Sequence, residues 1–71
     1  MSFNLVEHFD FETALTQTDD RKAYPETRYQ SLGFIGDRLC MVVFTLVEST
    51  IRVISLRKAN AREVKRYEQE T

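Results

Sequence analysis

Seventy-one residues with a single cysteine allow one small domain, and exclude a nucleotide-cofactor enzyme, an internal disulfide and a bilayer-spanning helix. Hydrophobic residues make up 42% of the chain, enough to exclude disorder, yet the core they build is thin and predicts help from a partner subunit or a second protein. The net charge of −1 hides a division: residues 1–50 hold four basic and eight acidic side chains, whereas residues 51–71 hold six basic and three acidic ones, and a local positive patch focuses a field whatever the total.

The chain opens with "SFNLVEHFDF". Ser2 suits a helix cap, and Phe3, Leu5, Val6 and Phe9 give a short helix one apolar side. The opening has no basic end and carries acids among its apolar residues, unlike a signal peptide, so a cytoplasmic protein is expected. "TALTQT" reads as a short strand. "DDRKAYPET" breaks the pattern, because Pro25 pushes Tyr24 out of helical geometry. "TRYQSLGFI" is a second strand, and "GD" at 36–37 suits a tight hairpin with Gly36 at positive φ. "RLCMVVFTLV" is apolar on both faces and predicts a central strand with Cys40 as a buried thiol. "EST" turns the chain into a last strand, "TIRVISLR".

The final helix has the clearest start. Asn60 caps it, with Glu63 three residues on as in a capping box. Ala61, Val64 and Tyr67 form an apolar stripe, and Arg62, Lys65, Arg66 and Gln69 cover the rest. Arg66 can pair with Glu70, one turn on. The expected fold class is α+β: an antiparallel sheet of three to four strands with an N-terminal and a C-terminal helix. Both helices are expected on one side of the sheet, leaving the other as a working face or a second interface.

Candidate chemistry gathers late in the chain. Strict alternation places Ile51, Val53, Ser55 and Arg57 on one face, and Arg52, Ile54 and Leu56 on the other. Arg57 suits two-pronged contact with a phosphate, and Lys58 adds a point charge beside it. The competing expectation is that Arg57 pairs with Asp19, Asp20 or Glu26 of the long loop. Tyr29 can stack on a base or lie half-buried in the core, and Tyr67 is expected in the core. His8 has no second histidine, so it is a surface or core-edge residue unless it acts as an acid or base. The ligand types and spacings match no zinc site, calcium loop or glycine-rich phosphate loop, so no metal or cofactor is expected. If the chain is an enzyme, the simplest chemistry for this inventory is RNA cleavage without metal, in which the 2′-hydroxyl attacks the neighbouring phosphorus and arginines neutralise developing charge, with no evident acid–base pair beside them.

Several pieces together resemble the BrnT ribonuclease toxins of bacterial toxin–antitoxin pairs: "DDR" at 19–21, "ETRY" at 26–29, the glycine of "SLG", and "IRVISLRKANAREVKRYE" at 51–68. The resemblance implies a RelE-like fold and a single BrnT-like domain over residues 1–71. It implies RNA as substrate and a small DNA-binding, BrnA-like antitoxin as partner. Arg52, Arg57 and Arg62 match positions in or near the RNA site and are the expected catalytic groups. Arg28, Tyr29, Lys58, Lys65 and Arg66 are the expected RNA contacts, with Glu26 and Glu63 orienting them. The family usually begins with a strand and a Lys-His-Gly motif, and this chain starts after the place where that histidine would lie. A shortened chain is therefore expected to cut weakly, or to act by binding an antitoxin or by forming a homodimer that covers its open edge.

Overall fold

The computed structural model describes residues 3–20, 23 and 25–70. A 3₁₀ helix (Phe3–His8) precedes strands β1 (Leu15–Thr18), β2 (Tyr29–Ile35), β3 (Arg38–Val47) and β4 (Thr50–Lys58), and helix α1 (Ala61–Glu70) closes the chain. All strand pairs are antiparallel, and the sheet follows chain order β1-β2-β3-β4. This is the expected RelE-like α+β fold, with a 3₁₀ rather than an α-helical N-terminal piece. The expected cap Ser2 and the loop residue Tyr24 lie outside the described residues.

Both tight hairpins have two-residue loops. Ile35 pairs with Arg38 around Gly36–Asp37, and Gly36 takes φ 62° as the turn demands. Val47 pairs with Thr50 around Glu48 and Ser49, whose φ values are 51° and 69°. That turn wants positive φ at both central residues, and here neither is glycine. Left-handed geometry costs an L-residue roughly 1–2 kcal/mol.

β3 is buried over Cys40–Thr45 and divides the core into two layers. Cys40, Val42 and Phe44 pack with Phe9 and Leu56 on one side, where Leu5 and Val6 of the 3₁₀ helix join them. Met41 and Val43 pack with Leu32 and Tyr67 on the other. The expectation of both helices on one side is therefore corrected. A central strand that is apolar on both faces needs two covers, and the chain supplies one at each end. Gly33 makes the first cover possible: a Cβ there would sit 2.8 Å from Phe9 Cζ and 2.9 Å from the Ala14 Cβ. Beside it, Phe9 bridges Ile35, and the Asp10 N–H donates to the Phe34 carbonyl at 2.9 Å. On the second side, Tyr67 meets Phe34 edge to face at 5.4 Å and its hydroxyl donates to the Thr13 carbonyl at 3.0 Å. One aromatic residue thus ties α1 to the segment before β1.

Two further expectations change. Ala61 and Val64 are exposed, so the buried side of α1 is Tyr67 flanked by the half-buried Glu63 and Arg66. The polar contacts of Glu63, described below, turn the helix that way. The alternation in β4 is broken by a bulge opposite Val43 and Phe44, where Ser55 pairs with Val43 and Val53 with Phe44. Ile54 is the extra residue, and an extra residue reverses side-chain parity beyond it. Arg52 pairs with Thr45 and Arg57 with Met41, positions of like parity on β3. The bulge therefore brings Arg52 and Arg57 to the same face, the one that α1 covers, where strict alternation had separated them.

Candidate functional site

The site is built where β4 ends and α1 begins. The Ala59 N–H donates to the Leu39 carbonyl at 3.0 Å, which fixes the exit of β4 against the start of β3. Asn60 then caps the helix: Glu63 N–H donates to Asn60 Oδ1 at 2.8 Å, and Asn60 N–H donates to Glu63 Oε1 at 3.0 Å. This is the reciprocal capping box that the sequence predicts.

The same carboxylate holds Arg57. Nη1 donates to Glu63 Oε1 and Nη2 to Glu63 Oε2, each at 2.8 Å, and Nη1 also donates to the Lys58 carbonyl at 3.3 Å. The carboxylate that meets Arg57 here is that of Glu63 from the next element, where the sequence had weighed the loop acids Asp19, Asp20 and Glu26. Two parallel N–H···O bonds fix the guanidinium plane as well as its position. The Arg57 side chain is 48% exposed and that of Glu63 only 15%, so the arginine presents itself to solvent from a covered anchor. Hydrogen bonding by Arg57 holds the Glu63 carboxyl below its ordinary pKa; partial burial opposes this, and the Asn60 N–H adds to it.

The other expected residues spread around this point. Arg62 and Lys65 are exposed on α1. Arg52 shares the Arg57 face but lies four β3 positions away, about 13 Å along the strand. The backbone thus separates Arg52 from the Arg57–Glu63 pair. Lys58 is exposed and pairs with Cys40 across the ladder. Arg66 Nε lies 3.4 Å from Glu70 Oε2, the one-turn pair that its spacing allows. Arg28 Nε lies 3.6 Å from Glu26 Oε1. Tyr29 is half-buried and stacks on Phe44 at 5.4 Å. His8 is exposed at the end of the 3₁₀ helix. Cys40 is fully buried, and burial raises its thiol pKa. Arg38, which sequence pattern does not single out, lies two residues before Cys40 on the same strand. Its only signal in the sequence is its place as the first residue after the "GD" turn.

Among the described residues no three or more His, Cys, Asp or Glu side chains come together as a metal would require. None of the described helices is long and apolar enough to cross a membrane. The family model described as the ribonuclease toxin BrnT of type II toxin–antitoxin systems matches residues 1–63. The chain belongs to the BrnT family. The match takes in the 3₁₀ helix, all four strands and the Asn60–Glu63 cap, so the Arg57–Glu63 pair lies inside the BrnT region, whereas Lys65 and Arg66 lie beyond it. No curated protein and no solved structure matches the chain.

Proposed function

We propose that this BrnT-family chain is a metal-independent endoribonuclease whose central group is Arg57. The observation that carries the reading is the family match over residues 1–63. The Arg57 geometry supports it, because a guanidinium anchored in a fixed plane and half exposed is preorganised for a phosphate. In this reading the ribose 2′-oxygen bonds to the adjacent phosphorus and the bond from phosphorus to the 5′-oxygen breaks. The 2′-hydroxyl proton passes to water, and the departing 5′-oxygen takes a proton from water. The products are a 2′,3′-cyclic phosphate and a 5′-hydroxyl. Arg57 neutralises the charge that builds on the non-bridging oxygens, and Glu63 is its positioning residue. Arg62 and Lys65, with Arg52 further off, supply sequence-independent attraction for the RNA backbone.

The assay is cleavage of a defined single-stranded RNA by the purified chain in EDTA. Products ending in 2′,3′-cyclic phosphate are expected, and intact RNA after prolonged incubation at high enzyme concentration overturns the reading. A second reading is favoured by the β3–β4 hairpin, where Leu46, Val47 and Ile51 are 51%, 48% and 40% exposed. Such a patch suits a protein partner, and the family description points to the antitoxin of a type II pair. In that reading the chain acts through antitoxin binding or through dimerisation. Co-purification of a small DNA-binding protein with a non-cleaving chain supports it; recovery of the chain alone and monomeric counts against it.

A further inference from the structure

Beyond Arg57 the same end of the sheet carries a second pair of cations. Lys58 stands opposite Cys40 in the ladder, and Arg38 is two residues before Cys40 on β3. That relation makes Arg38 and Lys58 diagonal neighbours, about 7 Å apart at the backbone. Both are exposed, and among the described residues neither has a carboxylate within ion-pair distance. The backbone bond from Ala59 to Leu39, at 3.0 Å, lies between their two strands and holds the spacing. The pair borders a hollow of about 440 Å³ whose remaining lining is Asp37, Leu39, Ala59 and Val64.

Two like charges held side by side repel each other, and an anion between them relieves it. The hollow is not uniformly basic, since Asp37 also borders it, and its apolar lining includes Val64 at 37% exposure. A phosphodiester meets both features: its oxygens face the cations and its sugar edge covers the apolar lining. Lys58 is the next residue after Arg57, and strand alternation sends the two side chains to opposite sides of β4.

We propose that Arg38 and Lys58 form a phosphate subsite of their own, so that single-stranded RNA passes across the end of β4 with one phosphate at Arg57 and another between Arg38 and Lys58. The inference rests on the ribonuclease reading and adds a substrate path to it.

The test measures affinity of the full chain for a fluorescein-labelled 2′-O-methyl oligoribonucleotide, which cannot be cleaved, across a series of salt concentrations. Each phosphate contact with a single strand contributes about 0.7 to the slope of log affinity against log salt. The double variant Arg38→Ala, Lys58→Ala removes the one phosphate held between the pair and is expected to lower that slope by about 0.7, a loss of about 5-fold at 0.1 M salt that vanishes on extrapolation to 1 M. The charge-keeping variant Arg38→Lys, Lys58→Arg is expected to retain the slope, and Asp37→Asn to tighten binding by removing a carboxylate from the hollow. If the wild type and double variant bind with the same slope while Arg57→Ala weakens binding, the subsite is wrong and the ribonuclease reading stands. If the wild type does not bind the probe at all, the reading falls and takes the subsite with it. An unchanged RNA slope in a double variant that loses an acidic protein partner assigns the pair to protein contact and overturns the proposal. Thermal melting of each variant at the wild-type temperature establishes that these differences are not losses of fold; Asp37→Asn gives an independent reading should the double variant melt early.

Discussion

Glu63 serves two partners with one carboxylate, and the two can be separated by substitution. Glu63→Gln keeps the reach of the capping box and loses the charge that Arg57 meets. Its expected cost is about 1 kcal/mol at neutral pH, modest because the guanidinium is half exposed. The folded carboxyl titrates below its ordinary value of 4.5, so its contribution is full above that pH and fades as pH falls through the folded value. Thermal melts of wild type and Glu63→Gln are therefore expected to differ at pH 7 and to converge as pH falls below 4.5 and through the lower folded pKa; a gap that stays constant down the acid series contradicts the charge-based account. Gly33→Ala should cost about 1–3 kcal/mol by overpacking against Phe9 and Ala14, read as a lower midpoint in urea. That glycine belongs to the residues that carry the family resemblance, and its explanation is packing. At this scale the capping box and the buried thiol were legible, because both depend on neighbours close in sequence. The partner of Arg57 was not: Glu63 was already accounted for by its cap, and three loop acids competed for the same arginine.

The elements themselves were readable from periodicity, since each strand is bounded by turn residues and β3 is apolar throughout. The side-chain parity of β4 was not. A bulge adds one residue to one strand, and nothing in "TIRVISLR" marks Ile54 as the extra one. The consequence reaches the site, because the faces of Arg52 and Arg57 were assigned by alternation. The inner side of α1 was misread for a related reason: the stripe Ala61, Val64, Tyr67 has helical spacing, but the bonds of Glu63 to Asn60 and Arg57 fix the rotation of the first turn. The β3–β4 turn makes a prediction of its own. Glu48 and Ser49 both hold positive φ, so Glu48→Asn with Ser49→Gly should stabilise the fold by about 1 kcal/mol. Chemical denaturation reads that gain, and a loss of stability would show that the native side chains make contacts worth more than the strain.

For the whole molecule, the two-sided core explains how so short a chain uses both of its ends. The 3₁₀ helix and Phe9 cover one layer, Tyr67 covers the other, and the sheet between them keeps β1 and β4 as its edges. Of the basic residues of the last third, Arg52 lies further back along β4, while Arg57 and Lys58 close β4 at one end of that sheet and Arg62 follows on the first turn of α1. There the exit of β4, the start of β3 and the cap of α1 are tied by backbone and side-chain hydrogen bonds. Family membership makes RNA the substrate to try, and the junction makes Arg57 the residue to change. The decisive measurement is the single-turnover rate of RNA cleavage in EDTA by wild type, Arg57→Ala and Arg57→Lys, each verified as folded. The account predicts a loss of about 100-fold or more for alanine. Lysine should recover only part of it, because it brings charge without the planar fork. Equal rates for wild type and Arg57→Ala would contradict it.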